Sequence, residues 1–288
     1  MVSFVFDDGN DTDFLVGKDV FAEQGAVAST AITTDFIGTT DHLTQEQILA
    51  LQGSGWEIMA HTASHPNLKS LSKEELAREF QKSNSELERI GARVTNLVYP
   101  YNKNDEAVRT VAAQYYRSAR GGTNSLNSSY LDLYMIRSFS MKHDSDAMKA
   151  HIDRAWEERK WLVFYQHEIN AKVKVTDYEG FFEPGETLRL SPSGTVARYV
   201  TTHWFPVYEY AIYLVPFSGT PRVGDTVRGE KSGAVARIDK IIYNQREQLT
   251  GLLGYIKDRY PQMPIVTIDQ GLDILGVPKF AGKSHDKR

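Results

Sequence analysis

Two short stretches carry side chains whose types and spacing suit chemistry. His61-Thr-Ala-Ser-His65-Pro66 sets two imidazoles four residues apart, the spacing that brings them to one side of a single helical turn. Pro66 disfavours helical geometry at His65, so the turn is predicted to stop there. Two convergent histidines still lack a carboxylate to complete a metal site. The chain supplies one near its start, in Phe4-Val5-Phe6-Asp7-Asp8-Gly9. Two histidines and one carboxylate leave coordination positions open for water and substrate, which is the catalytic type of zinc site. Each stretch also has a plainer reading. Histidine pairs at helical spacing arise by coincidence, and Asp-Asp-Gly suits a turn.

The elements around these residues favour the metal. The Asp pair ends an apolar strand, Val2–Phe6, and the His pair follows another, Trp56–Ala60. Strand ends are where α/β proteins place their sites. Further along, strands are predicted at Ala26–Ile32, Asn96–Tyr99, Tyr116–Arg120, Met135–Phe139 and Trp161–Gln166. Helices are predicted at Asp13–Gln24, from Thr44 to about Leu51, from Ser72 to Gly91, at Asp105–Gln114 and at Ser145–Arg159. Thr44 with Gln47 and Ser72 with Glu75 read as capping boxes. This alternation predicts a mainly parallel sheet with helices outside.

After His167 the texture changes. From about Ala171 to Tyr243 no helical period appears, and short alternating runs are punctuated by Gly and Pro. Gln245–Arg259 then returns to helix, Ile265–Ile268 to strand and Gln270–Leu275 to helix. The expected organisation is a barrel over residues 1–169 and 244–278, a β-rich insertion over 170–243 and a polar tail over 279–288. Gly224-Asp-Thr-Val-Arg-Gly229 and Ser232-Gly-Ala234 resemble a β-hairpin pattern common in phage structural proteins.

Bulk properties bound the function. The chain has 288 residues, 24% of them charged, and a net charge of −4, so no basic field points to nucleic acid. No apolar run approaches the roughly 20 residues that cross a bilayer. Cysteine is absent, which excludes disulfides and thiol chemistry. The chain opens directly on a strand and shows no signal-peptide pattern.

The sequence resembles the polysaccharide deacetylases, carbohydrate esterase family four with the NodB-type fold. Phe6-Asp7-Asp8-Gly9 resembles the family's first motif, with Val5 where Thr is usual. His61-Thr-Ala-Ser-His65-Pro66 matches its second, Tyr99-Pro100-Tyr101 resembles the core of its third, and Leu162–His167 resembles its last strand. The resemblance covers roughly residues 2–169 and resumes from Pro264 to Leu275. It implies a distorted (β/α)7 barrel, here with a small all-β inserted domain.

The resemblance also implies roles. Asp8, His61 and His65 become the ligands of a divalent metal, most readily Zn2+, with Co2+, Ni2+ or Mn2+ as alternatives. Asp7 becomes the general base, the Tyr101 backbone N–H the oxyanion donor and His167 the general acid. For His167 the plainer reading is a core histidine. The family often places an Arg two residues before the third motif's Pro; that position is Val98 here. Arg137, on the next strand, is the candidate to pair with Asp7 instead. For the family's fourth motif, which tunes the acid His, Asp144 and Asp146 are the candidates, with a helix cap as the alternative. His42, His143, His151 and His203 have no such context. The aromatics around His203-Trp204-Phe205, with Tyr208, Tyr210 and Tyr213, read either as sugar-stacking surface or as the core of the β insertion.

The expected function is metal-dependent removal of N- or O-acetyl groups from an acetylated polysaccharide or oligosaccharide, by extracellular or virion-associated action on surface glycan. No nucleic acid partner and no transmembrane segment are expected, and the insertion is a candidate for oligomer or virion contact. The rivals are hydrolysis of a small cyclic amide on the same scaffold and a non-catalytic glycan-binding or structural virion component.

Overall fold

A computed structural model describes residues 1–142, 144–205 and 209–279. Seven strands form the first barrel: β1 (Val2–Phe6), β2 (Ser29–Ile32), β3 (Glu57–Ala60), β4 (Val94–Val98), β5 (Ser118–Thr123), β6 (Ile136–Ser140) and β7 (Leu162–Gln166). They lie in chain order, all parallel, and β7 pairs back to β1. Register breaks between β3 and β4 and between β5 and β6 distort it. This is a distorted (β/α)7 barrel.

Strand alternation sorts the side chains into two cores. Val5, Ala31, Met59, Val98, Ile136 and Val163 cluster inside the barrel. Their neighbours Phe4, Phe6, Ile58, Ala60, Leu97, Leu162 and Phe164 pack outward against the helices. Continuing the inner set one step past each strand end reaches Asp7 from Val5, His61 from Met59 and His167 from Tyr165. The same parity that buries the valines therefore aims these three side chains at the mouth.

The helices are α1 (Lys18–Glu23), α2 (Gln45–Gly53), α3 (Lys73–Arg89), α4 (Glu106–Ala112), α5 (Ser145–Glu157), α6 (Gln245–Arg259) and α7 (Ile268–Ile274). Both sequence-predicted capping boxes form, at Thr44 with Gln47 and at Ser72 with Glu75. The helix predicted over Asp13–Gln24 begins as a wide π-type turn, Asp13–Gly17, before α1. The strand predicted at Ile265–Ile268 is not formed. Ile265 makes a single bridge to Val2, and Ile268 already starts α7 behind a Thr267–Gln270 capping box. The reason is closure: β1 is paired on both sides and has no free edge along most of its length. Ile268 and Leu272 of α7 instead join the inner cluster. Lys279, expected in a loose tail, is held by Asp269 and Asp273 at 2.9 and 2.7 Å. Residues 280–288 lie outside the described residues, as does His143.

The second barrel is antiparallel and leaves the first directly after β7. It comprises β8 (Ala171–Glu179), β9 (Thr187–Ser191), β10 (Val196–Phe205), β11 (Glu209–Ser218), β12 (Thr226–Gly229) and β13 (Val235–Asn244), closed in the order β10-β11-β8-β13-β12-β9. It has its own core, including Val173, Leu188, Leu190, Ile212, Leu214 and Val227. Its entrance and exit are stitched together: Gln245 N–H donates to Asn170 O at 3.0 Å, and Asn170 N–H to the Gln245 side chain at 2.7 Å. The Gly229 to Ala234 phrase wraps the Glu186 carboxylate, which accepts from the N–H groups of Lys231 and Ser232 at 3.0 Å each. A Cβ on Gly229 would come within 2.6 Å of that carboxylate, so glycine is required by close approach. The side chains of His203, Trp204 and Phe205, and all of Tyr208, lie outside the described residues; Tyr210 stacks on Tyr178 at 5.2 Å.

Candidate active site

Asp7 continues the inner face of β1 and is 4% exposed. Its Oδ2 accepts from the Arg120 guanidinium at 2.5 Å, and Arg120 is itself fully buried. Arg120 also donates to Asn102 Oδ1 at 2.9 Å and Ser138 Oγ at 3.2 Å, and lies over the Tyr165 ring at 4.6 Å. One carboxylate oxygen is thus spent on the arginine. The other, Oδ1, is buried without a protein partner. An acceptor in that state is poised to take a proton from something brought to it.

This corrects the expected partner of Asp7. Arg137 is exposed and does not reach the carboxylate. The reason is parity. Ile136 and Ser138 occupy the inward positions of β6, so Arg137 between them faces out. On β5 the inward residue is Arg120. The signal was in the sequence: a charged residue closing the predicted strand Tyr116–Arg120, followed by two glycines. A Cβ on Gly121 would meet the Tyr99 ring at 2.4 Å, and one on Gly122 would meet Arg137 Cγ at 2.7 Å.

Asp8, His61 and His65 come together. Asp8 Oδ1 is 3.3 Å from His61 Nε2 and 3.3 Å from His65 Nε2. Among the described residues they are the one grouping of three such donors, with ligand atoms within 4.8 Å of one another. His61 Nδ1 lies 2.8 Å from the Val98 carbonyl oxygen. Only an N–H bonds to a carbonyl, so Nδ1 carries a proton and Nε2 is the nitrogen that faces Asp8. Burial opposes the Asp8 charge, but the His61 hydrogen bond and the nearby imidazoles outweigh it and hold the carboxyl down at about 2. Burial, then His61, lowers the pKa of His65. A charged carboxylate and neutral imidazoles are the forms that bind a metal, so the donor set fits a divalent ion.

The backbone of the histidine stretch differs from the helical turn expected. Thr62 and His65 have φ of +69° and +58°, and residues 61–65 form a loop. Glu79 of α3 organises it. One of its oxygens accepts from Ala63 N–H and Ser64 N–H at 3.0 Å each, and the other from Ser64 Oγ at 2.9 Å. These N–H groups are tied to a side chain rather than to a helical ladder. Sequence reasoning had no local signal for Glu79, whose effect is a long-range contact.

Tyr101 and Asn102 both adopt left-handed backbone, with φ of +58° and +55°. Such strain is of order 1–3 kcal/mol per residue and collects at functional loops. No protein acceptor among the described residues takes the Tyr101 N–H. The Tyr101 ring lies 4.5 Å from His65. His167 is more than half exposed, with Nε2 3.8 Å from Asp8 Oδ2, so it is not a core histidine. Asp144 caps α5, accepting from Asp146 and Ala147 N–H at 3.0 and 3.1 Å. Asp146 is exposed beside Lys149. Neither tunes His167. His151 packs on Phe139 at 4.1 Å, and His42 contacts Thr40 O at 2.9 Å.

Two further carboxylates follow the pair, and sequence reasoning passed over both. Asp11 receives both Arg198 nitrogens, at 2.5 and 2.9 Å, from β10 of the inserted barrel. Asp41 adds a third contact at 3.4 Å. Asp13 is wholly buried and hydrogen-bonded to Thr30 Oγ1 at 2.6 Å. Burial pushes its pKa well above the usual carboxylate range, with Asp11, Asp7 and Asp8 adding in the same direction.

Comparison with known proteins agrees with this architecture. Residues 1–118 match the model of the polysaccharide deacetylase family. No curated protein matches the chain. The Xyl-CE4 domain of a multidomain xylanase from the hindgut metagenome of Trinervitermes trinervoides is 11% identical, with 98% of this chain and 94% of that chain covered and a TM-score of 0.50. A Streptococcus pyogenes deacetylase, PplD, in complex with acetate is 21% identical over 47% of this chain and 63% of its own, with a TM-score of 0.42. A polysaccharide deacetylase from Bacillus cereus is 21% identical over 48% of this chain and 45% of its own, also with a TM-score of 0.42. The chain therefore spans less than two thirds of the length of these last two.

Two outcomes are expected from this geometry. Arg120→Met strands the buried Asp7 charge and should cost about 3–5 kcal/mol, whereas the exposed Arg137→Met should stay within about 0.5. Urea unfolding of both variants measures this; equal effects would return Arg137 to the site. Asp13→Asn should stabilise the protein increasingly as pH rises. The folded pKa of Asp13 is raised, so the wild type loses stability as pH climbs above about 4, where the unfolded carboxyl ionises, towards the raised folded pKa. Asparagine has no proton to lose. The melting-temperature difference between variant and wild type should widen from pH 4 to pH 8.

Proposed function

We propose that this chain hydrolyses acetyl groups from a polysaccharide or oligosaccharide with the help of a divalent metal. The observation that carries the reading is the pairing of two unlike carboxylates at one strand end. Asp7 is clamped by Arg120 with one oxygen left unpartnered, and Asp8 sits among His61, His65 and His167. Adjacent acids in such different surroundings suit different tasks. The family-model match over residues 1–118 supports the same reading.

Asp8, His61 and His65 would hold the ion, Zn2+ most readily, which supplies Lewis acidity to a water and to the acetyl carbonyl. Asp7 Oδ1 takes the proton of the attacking water, while Arg120 holds the carboxylate in place through Oδ2. The Tyr101 N–H donates to the oxyanion that develops on the carbonyl oxygen, a contribution of roughly 3–4 kcal/mol for one preorganised donor. His167 returns a proton to the departing amine or alkoxide. Acetate and the deacetylated sugar are the products. Extracellular or virion-associated action on surface glycan is the setting this reading expects.

Acetate release from acetylated oligosaccharides, with and without a chelator, tests this. Wild-type protein should release acetate, lose the activity on chelation and regain it with Zn2+, Co2+, Ni2+ or Mn2+. Asp7→Asn should keep its metal content and lose at least about 100-fold in rate, since an amide takes no proton. His65→Ala should lose most bound metal. Wild-type metal content in His65→Ala, or chelator-resistant acetate release, would falsify the metal assignment. Turnover of a cyclic amide with no acetate released would instead select the rival chemistry.

A further inference from the structure

The inserted barrel is one unit used twice. Gly185-Glu-Thr-Leu-Arg189-Leu-Ser-Pro-Ser193-Gly-Thr-Val-Ala-Arg198 returns 39 positions later as Gly224-Asp-Thr-Val-Arg228-Gly-Glu-Lys-Ser232-Gly-Ala-Val-Ala-Arg237. The same offset of 39 carries β8, β9 and β10 onto β11, β12 and β13, to within one residue at their ends. Residues 39 apart face each other at Val173 with Ile212 and at Arg189 with Arg228, so an approximate two-fold axis passes through both pairs. The turns cap each other across it. Glu186 accepts from Ser232 N–H at 3.0 Å, and its counterpart Asp225 accepts from Ser193 N–H at 2.9 Å. Arg198 is paired with Val215 and Arg237 with Thr176, each between two register slips of its strand pair.

The twin faces have diverged where the first barrel packs. Val200, Val215 and Phe217 lie against that barrel's core. Their counterparts are Asp239, Thr176 and Tyr178. The first two are exposed, and Tyr178 packs on the inserted barrel's own core. The arginine is kept on both faces but used differently. Arg237 is exposed, and among the described residues no carboxylate pairs with it. Arg198 grips Asp11 with both terminal nitrogens, and its Nη2 also reaches Asp41 at 3.4 Å.

Those two carboxylates lie on the loops that carry Asp8. The loop after β1 sets Asp8 and Gly9 at φ of +75° and +72°, a left-handed backbone uncommon outside glycine. It is laid against the loop after β2: Leu43 N–H donates to Gly9 O and Asp11 N–H to Asp41 O, both at 2.9 Å. Arg198 bridges that seam. Without a cation there, the Asp11 and Asp41 carboxylates would repel each other across it. We infer that Arg198 is a positioning residue for the metal site: by bridging Asp11 and Asp41 it holds the loop that presents Asp8, and its twin Arg237 is the matched control. This rests on the metal-dependent reading and adds that the inserted barrel shapes the ion's site from outside the donor set.

Zn2+ binding by the full chain, followed by calorimetry without substrate, tests this. Arg198→Met combined with Asp11→Asn removes the grip at constant net charge, so the readout is position rather than field. Its Kd for Zn2+ should rise about tenfold or more, the scale for groups that orient metal ligands. Arg237→Met should stay within about twofold of wild type, since an exposed charge is screened. Arg198→Lys keeps the charge but loses the fork, and its Kd should fall between the two. Melting temperatures of the metal-free proteins separate folding from positioning: a merely structural contact would lower them and leave the Kd unchanged. A Kd unchanged in both Arg198 variants, or raised as much by Arg237→Met, overturns the inference. If the double variant does not fold, Arg198→Lys decides alone, and a wild-type Kd in it overturns the inference. Wild type that binds no divalent ion overturns the metal reading, and the positioning role with it.

Discussion

The buried pair of Asp7 and Arg120 is the constraint on which the rest of the site depends. A carboxylate shut away from water is tolerated only with a partner, and a guanidinium at the centre of a barrel equally so. Each is the other's answer. Arg120 then ties Asp7 to three more strands or loops, through Asn102, Ser138 and the Tyr165 ring. The loop bearing Tyr101, with its left-handed backbone, is therefore fixed relative to Asp7 by the same cation that pairs with that carboxylate. Removing the arginine would release both at once.

Around that pair, the stretch from Asp7 to Asp13 carries four carboxylates, and each is managed differently. Asp7 has Arg120, Asp8 has the histidines, Asp11 has an arginine from the inserted barrel, and burial opposes the charge on Asp13 and raises its pKa. So much negative charge on one turn would repel itself if all four groups were ionised and unpaired. The partition makes the inserted barrel part of the charge balance at the site rather than an appendage.

Much of this was legible in the sequence, for physical reasons that differ by element. The strands of the first barrel are buried on both faces and read as apolar runs, and the capping boxes at Thr44 and Ser72 are local grammar that structure rarely overrides. The donor set Asp8, His61 and His65 was legible because strand ends converge. What was missed is long-range or depends on parity. Arg137 and Arg120 both lie on strands beside the site, and only the in–out alternation of each strand decides between them. Glu79 bends the histidine loop from a helix whose pattern reads as ordinary amphipathic surface. Arg198 reaches Asp11 across 187 positions in the chain, a pairing that no local rule contains. The strand expected at Ile265 failed because a closed barrel has no vacancy for it.

The stitched base of the inserted barrel has a consequence for how the molecule came to be and how it can be rebuilt. Asn170 and Gln245 hold each other by backbone and side chain, so the chain leaves and returns at almost the same point. A host barrel would need only a tight turn there in the absence of the insertion, and the loop-closure entropy of a long excursion grows slowly with its length. That seam is a natural splice point. Modules of other shapes could be exchanged at it while the host strands keep their register, provided a replacement reproduces the arginine that meets Asp11 and the packing of Val200, Val215 and Phe217 against the first barrel's core. The wall that Asn170, Tyr243 and Gln245 add beside Asp8 and His167 could then be changed while the strand-end residues of the first barrel stay as they are.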